Sequence, residues 1–124
     1  MQERIRFIEH HGKKILSVDL SNCPVNQVEE IVRKVPDYIT VQPLGSVLVL
    51  TDFTGATFDH DAMRAVKETA VFDKPFVKKS ALVGIESLPD SFYEEVKSFS
   101  RRDMTVFKTR DAALAWLTTD PVGA

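Results

Sequence analysis

The chain has 124 residues, 44% of them hydrophobic and 27% charged, with a net charge of -2 and a single cysteine. That length can bury a core without disulfides or a structural metal, and the apolar fraction excludes a disordered or fibrous chain. The near-neutral charge argues against a nucleic-acid partner, which would call for a strong basic excess.

Ile5 and Phe7, with Glu9 continuing the alternation, predict a first strand, and His10-His11-Gly12-Lys13 predicts a tight turn after it. Ile15, Leu16, Val18 and Leu20 predict the second strand of that hairpin, closed by turn and cap residues over Asp19 to Pro24. Val28, Ile31, Val32 and Val35 stand at helical spacing opposite Glu29, Glu30, Arg33 and Lys34, and Pro36 is expected to end that helix. After a loop over Asp37 to Pro43, the unbroken run Val47-Leu48-Val49-Leu50 predicts a central strand covered on both faces.

Phe58, Ala62, Ala65, Val66, Thr69 and Ala70 mark a second helix between Phe58 and Phe72, ahead of Pro75. The small and apolar residues Ser80 to Gly84 predict a buried strand within Phe76 to Gly84. Ser87 is expected to cap a third helix whose first turn holds Pro89 and Asp90 and whose buried face is Leu88, Phe92, Val96 and Phe99. Met104 to Phe107 reads as a short strand. Thr109 is expected to cap a last helix, with Asp111 near its start and Ala113, Leu114, Leu117 and Trp116 docked on the sheet.

The order β-β-α-β-α-β-α-β-α implies one α/β domain over residues 1–120, with a frayed tail over 121–124. A mainly parallel sheet with flanking helices follows, its first strand antiparallel at an edge. The charged N-terminal segment lacks an apolar core of signal-peptide length, and no run reaches membrane-spanning length, so a soluble cytoplasmic protein is expected.

In this order, four segments give the chain a resemblance to the SpoIIAA-like group of small bacterial proteins, related to STAS domains and more distantly to Sec14 domains. They are Lys14 to Asp19, Gly45 to Gly55 with Phe58, Ser80 to Gly84, and Val106 to Leu117. The resemblance implies a SpoIIAA-like (STAS-like) fold and a non-enzymatic binding or regulatory role. The Sec14 kinship implies an apolar small-molecule ligand or a membrane surface. The anti-sigma-factor-antagonist kinship implies a protein partner instead. Those antagonists are switched by a phosphoserine, but the corresponding stretch here is Phe58-Asp59-His60-Asp61-Ala62-Met63, with no hydroxyl at the acceptor position. Thr54 and Thr57 are the remaining acceptors nearby.

In open parallel sheets, ligands sit at the carboxyl ends of the strands. The candidate ligand residues are therefore Asp52, Phe53, Thr54 and Gly55, together with Phe58, Met63, Phe72 and Phe92 from the two helices expected to flank a site. Phe72, Phe76, Phe92, Tyr93, Phe99 and Trp116 can line an apolar pocket or fill an ordinary core. Asp52, Asp59 and His60 define a third possibility, a hydrolase-like or metal site, although Asp59 and Asp61 are equally explained as helix N-terminal residues.

Lys74, Lys78, Lys79, Arg101 and Arg102 form a basic group suited to phosphates or an anionic membrane, and also to the negative ends of helix dipoles. Cys23 lies before Pro24 at a helix start, where a thiol pKa can fall, yet a lone cysteine reads first as structural. His10 and His11 read as exposed turn residues. No cofactor, metal or catalytic motif is found, and the edges of a small open sheet suit a homodimer.

Overall fold

A computed structural model describes residues 3–102 and 104–119. The chain runs β1 (Ile5–His10), β2 (Lys13–Asp19), α1 (Val25–Ile39), β3 (Val47–Asp52), α2 (His60–Asp73), β4 (Val77–Val83), α3 (Phe92–Ser100), β5 (Thr105–Phe107) and α4 (Arg110–Leu117). The five strands form one sheet in the order β1-β2-β3-β4-β5. β1 is antiparallel to β2 at one edge, and the other three pairings are parallel. The expected α/β order and the antiparallel edge strand are both present. The expected tail lies outside the described residues.

The sheet is covered unequally. Leu16, Val18, Val49 and Leu82 face a layer made by α1, α2 and α3, against Val28, Val32, Ala62, Ala65, Phe92 and Val96. Alternate residues of the same strands, Ile15, Leu48, Leu50, Ala81 and Val83, pack under α4 through Ala113, Leu114 and Leu117. This two-sided burial is why β3 reads as an unbroken apolar run. α4 has only eight residues, so it leaves part of its face of the sheet uncovered.

Three local expectations are corrected. Pro36 lies inside α1, which runs on to Ile39. Only one helical hydrogen bond is forgone there; Ile39 gains nearly complete burial, and Thr40 donates from both N and Oγ1 to the Pro36 carbonyl. Ser87 does not cap α3. It closes a 3-10 turn at Ile85–Ser87, and its hydroxyl donates to the Phe53 carbonyl at 3.1 Å, while Ser91 precedes the helix. Phe99 is not on the buried face, because it stands in the last turn of α3, and it is 55% exposed. Thr109 and Asp59 cap α4 and α2 as expected, accepting from the Ala112 and Ala62 amides at 3.1 and 2.8 Å.

Gly84 explains the tight exit from β4. Its φ is +75°, and an added Cβ would overlap Thr54 Oγ1 and lie 2.5 Å from the Thr54 nitrogen. The loop after β4 thus packs directly on the loop after β3.

Candidate functional site

The amino ends of the parallel strands and the C-termini of α1, α2 and α3 share one end of the molecule. Their connections are tied together there. The Gly45 amide donates to the Pro75 carbonyl at 2.9 Å, joining the segment after α1 to that after α2. Arg102 Nη1 donates to the Ala70 carbonyl at 3.3 Å, joining the segment after α3 to the last turn of α2. In or just beyond the last turns of α1, α2 and α3 stand Val41, Leu44, Val71, Phe72 and Phe99, each 45–75% exposed. Single exposed apolar residues are ordinary, but several following one another at the ends of three helices need a cause.

Cations share this end. Lys74, Lys78 and Arg101 are exposed, and Lys14 donates to Gln42 Oε1 at 3.4 Å and lies over the Phe7 ring. Asp37, near the end of α1, is an exposed carboxylate. The expected basic group is therefore divided. Lys79 is drawn onto the other face, where it donates to the Trp116 and Thr119 carbonyls at 3.0 and 2.8 Å, and Arg102 is buried.

Between the sheet and the α1–α3 layer lies a cavity of about 70 Å³, lined from Phe53 and Phe92 at the carboxyl end of the strands to Asp73 and Arg102 at this end. Val35, Ile39, Val49 and Phe92 are among its apolar walls, and its charged lining residues are Asp73 and Arg102. Asp73 is almost fully buried, and its Oδ1 has no hydrogen-bond partner. Burial pushes its carboxyl up to about 6, and the Arg102 charge pulls the other way. Burial likewise lowers the Arg102 pKa, with Asp73 opposing it.

The residues expected to form one ligand site are distributed over several surfaces. Phe53 and Phe92 are core residues, in edge-to-face contact with each other at 5.1 Å and with Phe58 at 5.6 and 5.5 Å. Phe58 and Met63 line a groove of about 650 Å³ between α2 and α3, together with Asp59, His60, Lys67 and Phe99. Phe72 faces the other flank of α2, beside Arg33 and Pro36. Asp52 turns toward the α4 side of the sheet, so it does not meet Asp59 and His60. Its Oδ1 accepts from the Thr54 amide and hydroxyl at 2.9 and 2.7 Å. Gly55, at φ +70°, abuts Asn22. Thr57 is exposed.

Cys23 is buried, and that burial raises its thiol pKa, the opposite of what a nucleophile needs. The His10 and His11 rings meet edge-on at 4.3 Å because His11 adopts φ +50° in the turn. No group of three or more potential ligand residues suited to a metal ion occurs among the described residues.

Geometry of this kind defines an α/β protein with a five-stranded mixed sheet, three helices on one face and one on the other. No family model matches the chain, and no curated protein or solved structure matches it at a significant level.

Proposed function

We propose that this is a non-catalytic module that associates reversibly with an anionic membrane surface through the end carrying Val41, Leu44, Phe72 and Phe99. The observation that carries this reading is the exposure of those apolar side chains at an end that also presents Lys14, Lys74, Lys78 and Arg101. Helix dipoles account for cations at this end, because helix C-termini attract positive charge. They do not account for the apolar residues, which cost free energy in water. A headgroup layer over acyl chains satisfies both kinds of side chain at once.

The magnitudes favour weak, reversible attachment. Transferring the exposed parts of four or five such side chains yields about 1 kcal/mol each, and each Lys or Arg near an anionic surface adds about 1 kcal/mol. The total, about 8 kcal/mol before any cost of immobilisation, corresponds to about micromolar affinity. No helix among the described residues is long and apolar enough to cross a membrane. Uptake of an apolar ligand into the core is supported less well, since the internal cavity of about 70 Å³ falls well below the roughly 300 Å³ at which ligand pockets begin.

Co-sedimentation with vesicles tests the proposal. The protein is expected to pellet with phosphatidylserine-containing vesicles, weakly with pure phosphatidylcholine, and less as salt rises. Retention in the supernatant with anionic vesicles at low salt and millimolar lipid overturns it.

A further inference from the structure

At the opposite end of the sheet, on the α4 side, a trough of about 450 Å³ is lined by Arg4, Arg6, Ser17, Asp19, Asp52 and Arg110, with Glu3 also bordering it. It exists because α4 packs on β3 and β4 and leaves the carboxyl end of β2 bare. Ser17 forms a buried floor, and its Oγ accepts from Arg110 Nη2 at 3.5 Å. Arg6 lies directly across from Ser17 in the β1–β2 register, and Asp19 across from Asp52 in the β2–β3 register. The two aspartates therefore stand side by side, about 4.8 Å apart in strand spacing.

These charges do not satisfy one another. Among the described residues, none of the three arginines forms an ion pair with either aspartate. Arg4 is held by the Asp19 and Ser21 carbonyls, each accepting from Nη1 at 3.1 Å. The Oδ1 atoms of Asp19 and Asp52 are each held by the amide and hydroxyl two residues on. Arg4 and both carboxylates are thus held at the rim, and Arg110 reaches Ser17, around a space that no ion pair among these groups closes.

We infer that this trough binds a small molecule carrying an oxyanion together with hydroxyl or ammonium donors on the same carbon skeleton. The oxyanion bridges Arg6 and Arg110 over Ser17, in the charge-assisted geometry that guanidinium groups favour. The donors face Asp19 and Asp52. A bare anion meets repulsion from those two carboxylates, so the donors are what make binding favourable. The position agrees with the general placement of ligands outside the carboxyl ends of parallel strands, and it is independent of the membrane-facing end.

Titration calorimetry with inorganic phosphate, glycerol phosphate and glycerate tests this inference and separates phosphate from carboxylate as the preferred oxyanion. At least one of the two organic ions is expected to bind about tenfold tighter than inorganic phosphate. Arg110→Gln and Arg6→Gln are each expected to weaken that binding about tenfold. Arg6 is on an exposed edge strand, so its variant keeps the test valid if Arg110→Gln lowers stability. The inference is overturned if neither organic ion gives an isotherm, if inorganic phosphate binds as well as both, or if the folded variants bind like the parent chain.

Discussion

Replacing Asp73 by asparagine is expected to stabilise the protein, and to do so more at pH 7.5 than at pH 5. Asp73 is 2% exposed, Oδ1 lacks a partner, and the only other charged residue among those lining the cavity is Arg102. Its carboxyl titrates at about 6 in the fold, against an ordinary value of 3.8. The folded protein therefore binds this proton more tightly than the unfolded chain does. The stability associated with that proton is fully present below pH 3.8 and is lost as pH rises through about 6. At 1.36 kcal/mol per pKa unit, the ionised group costs about 3 kcal/mol above pH 7, which relaxation of the surroundings around the charge reduces to about 2 kcal/mol. Protonation sacrifices the same attraction to Arg102 that asparagine does, so that loss is already contained in the figure. Half of the penalty is relieved at pH 5, where the advantage of Asp73→Asn falls to about 1 kcal/mol. Urea unfolding of both proteins at the two pH values measures this directly. Equal destabilisation by the asparagine at pH 7.5 and pH 5 refutes the reasoning, since it would mean that the ionised carboxylate is engaged in a favourable pairing.

Three further outcomes follow from particular contacts. Leu44→Ser and Phe72→Ser, both at exposed positions, are expected to weaken vesicle binding about fivefold each while leaving the urea midpoint unchanged, since each removes about 1 kcal/mol of transferred surface. Gly84→Ala is expected to cost about 3 kcal/mol, because it combines a left-handed backbone with a Cβ pressed against the Thr54 main chain; thermal unfolding reads it. Phe92→Ala removes the residue shared by two edge-to-face ring contacts in the core, and chemical denaturation should show a loss of about 4 kcal/mol.

Legibility in the sequence followed the range over which each feature is determined. The central strand Val47–Leu50 and the caps Asp59 and Thr109 were readable because a few neighbouring residues decide them. Pro36 misled because the local rule against proline competes with burial of Ile39 by distant parts of the fold. Phe99 falls at the spacing of a buried helical face, yet it stands at the helix end, and its exposure depends on the packing around that end. The arginine trough assembles positions 6, 17, 19, 52 and 110 from four elements and position 4 from the segment before β1. Its only local sign was the polar alternation of Ser17 and Asp19 after the apolar pair Ile15-Leu16 and around Val18.

The distribution of charge along the strand axis links these features. Parallel β-α units place helix N-termini at one end and helix C-termini at the other, so Asp59, Asp61 and Asp111 gather opposite Lys74 and Arg101 with no functional cause needed. What the fold does not demand is more informative. It does not demand Leu44 and Phe72 in water at the basic end, nor Arg4, Arg6 and Arg110 at the otherwise acidic end. Each set runs against the local preference, the first by exposing apolar surface and the second by placing cations where helix dipoles favour anions. Both exceptions make physical sense if one end meets a lipid surface and the other holds a small oxyanion. The two can then be separated experimentally, because serine at Leu44 leaves the trough intact and glutamine at Arg6 leaves the apolar end intact.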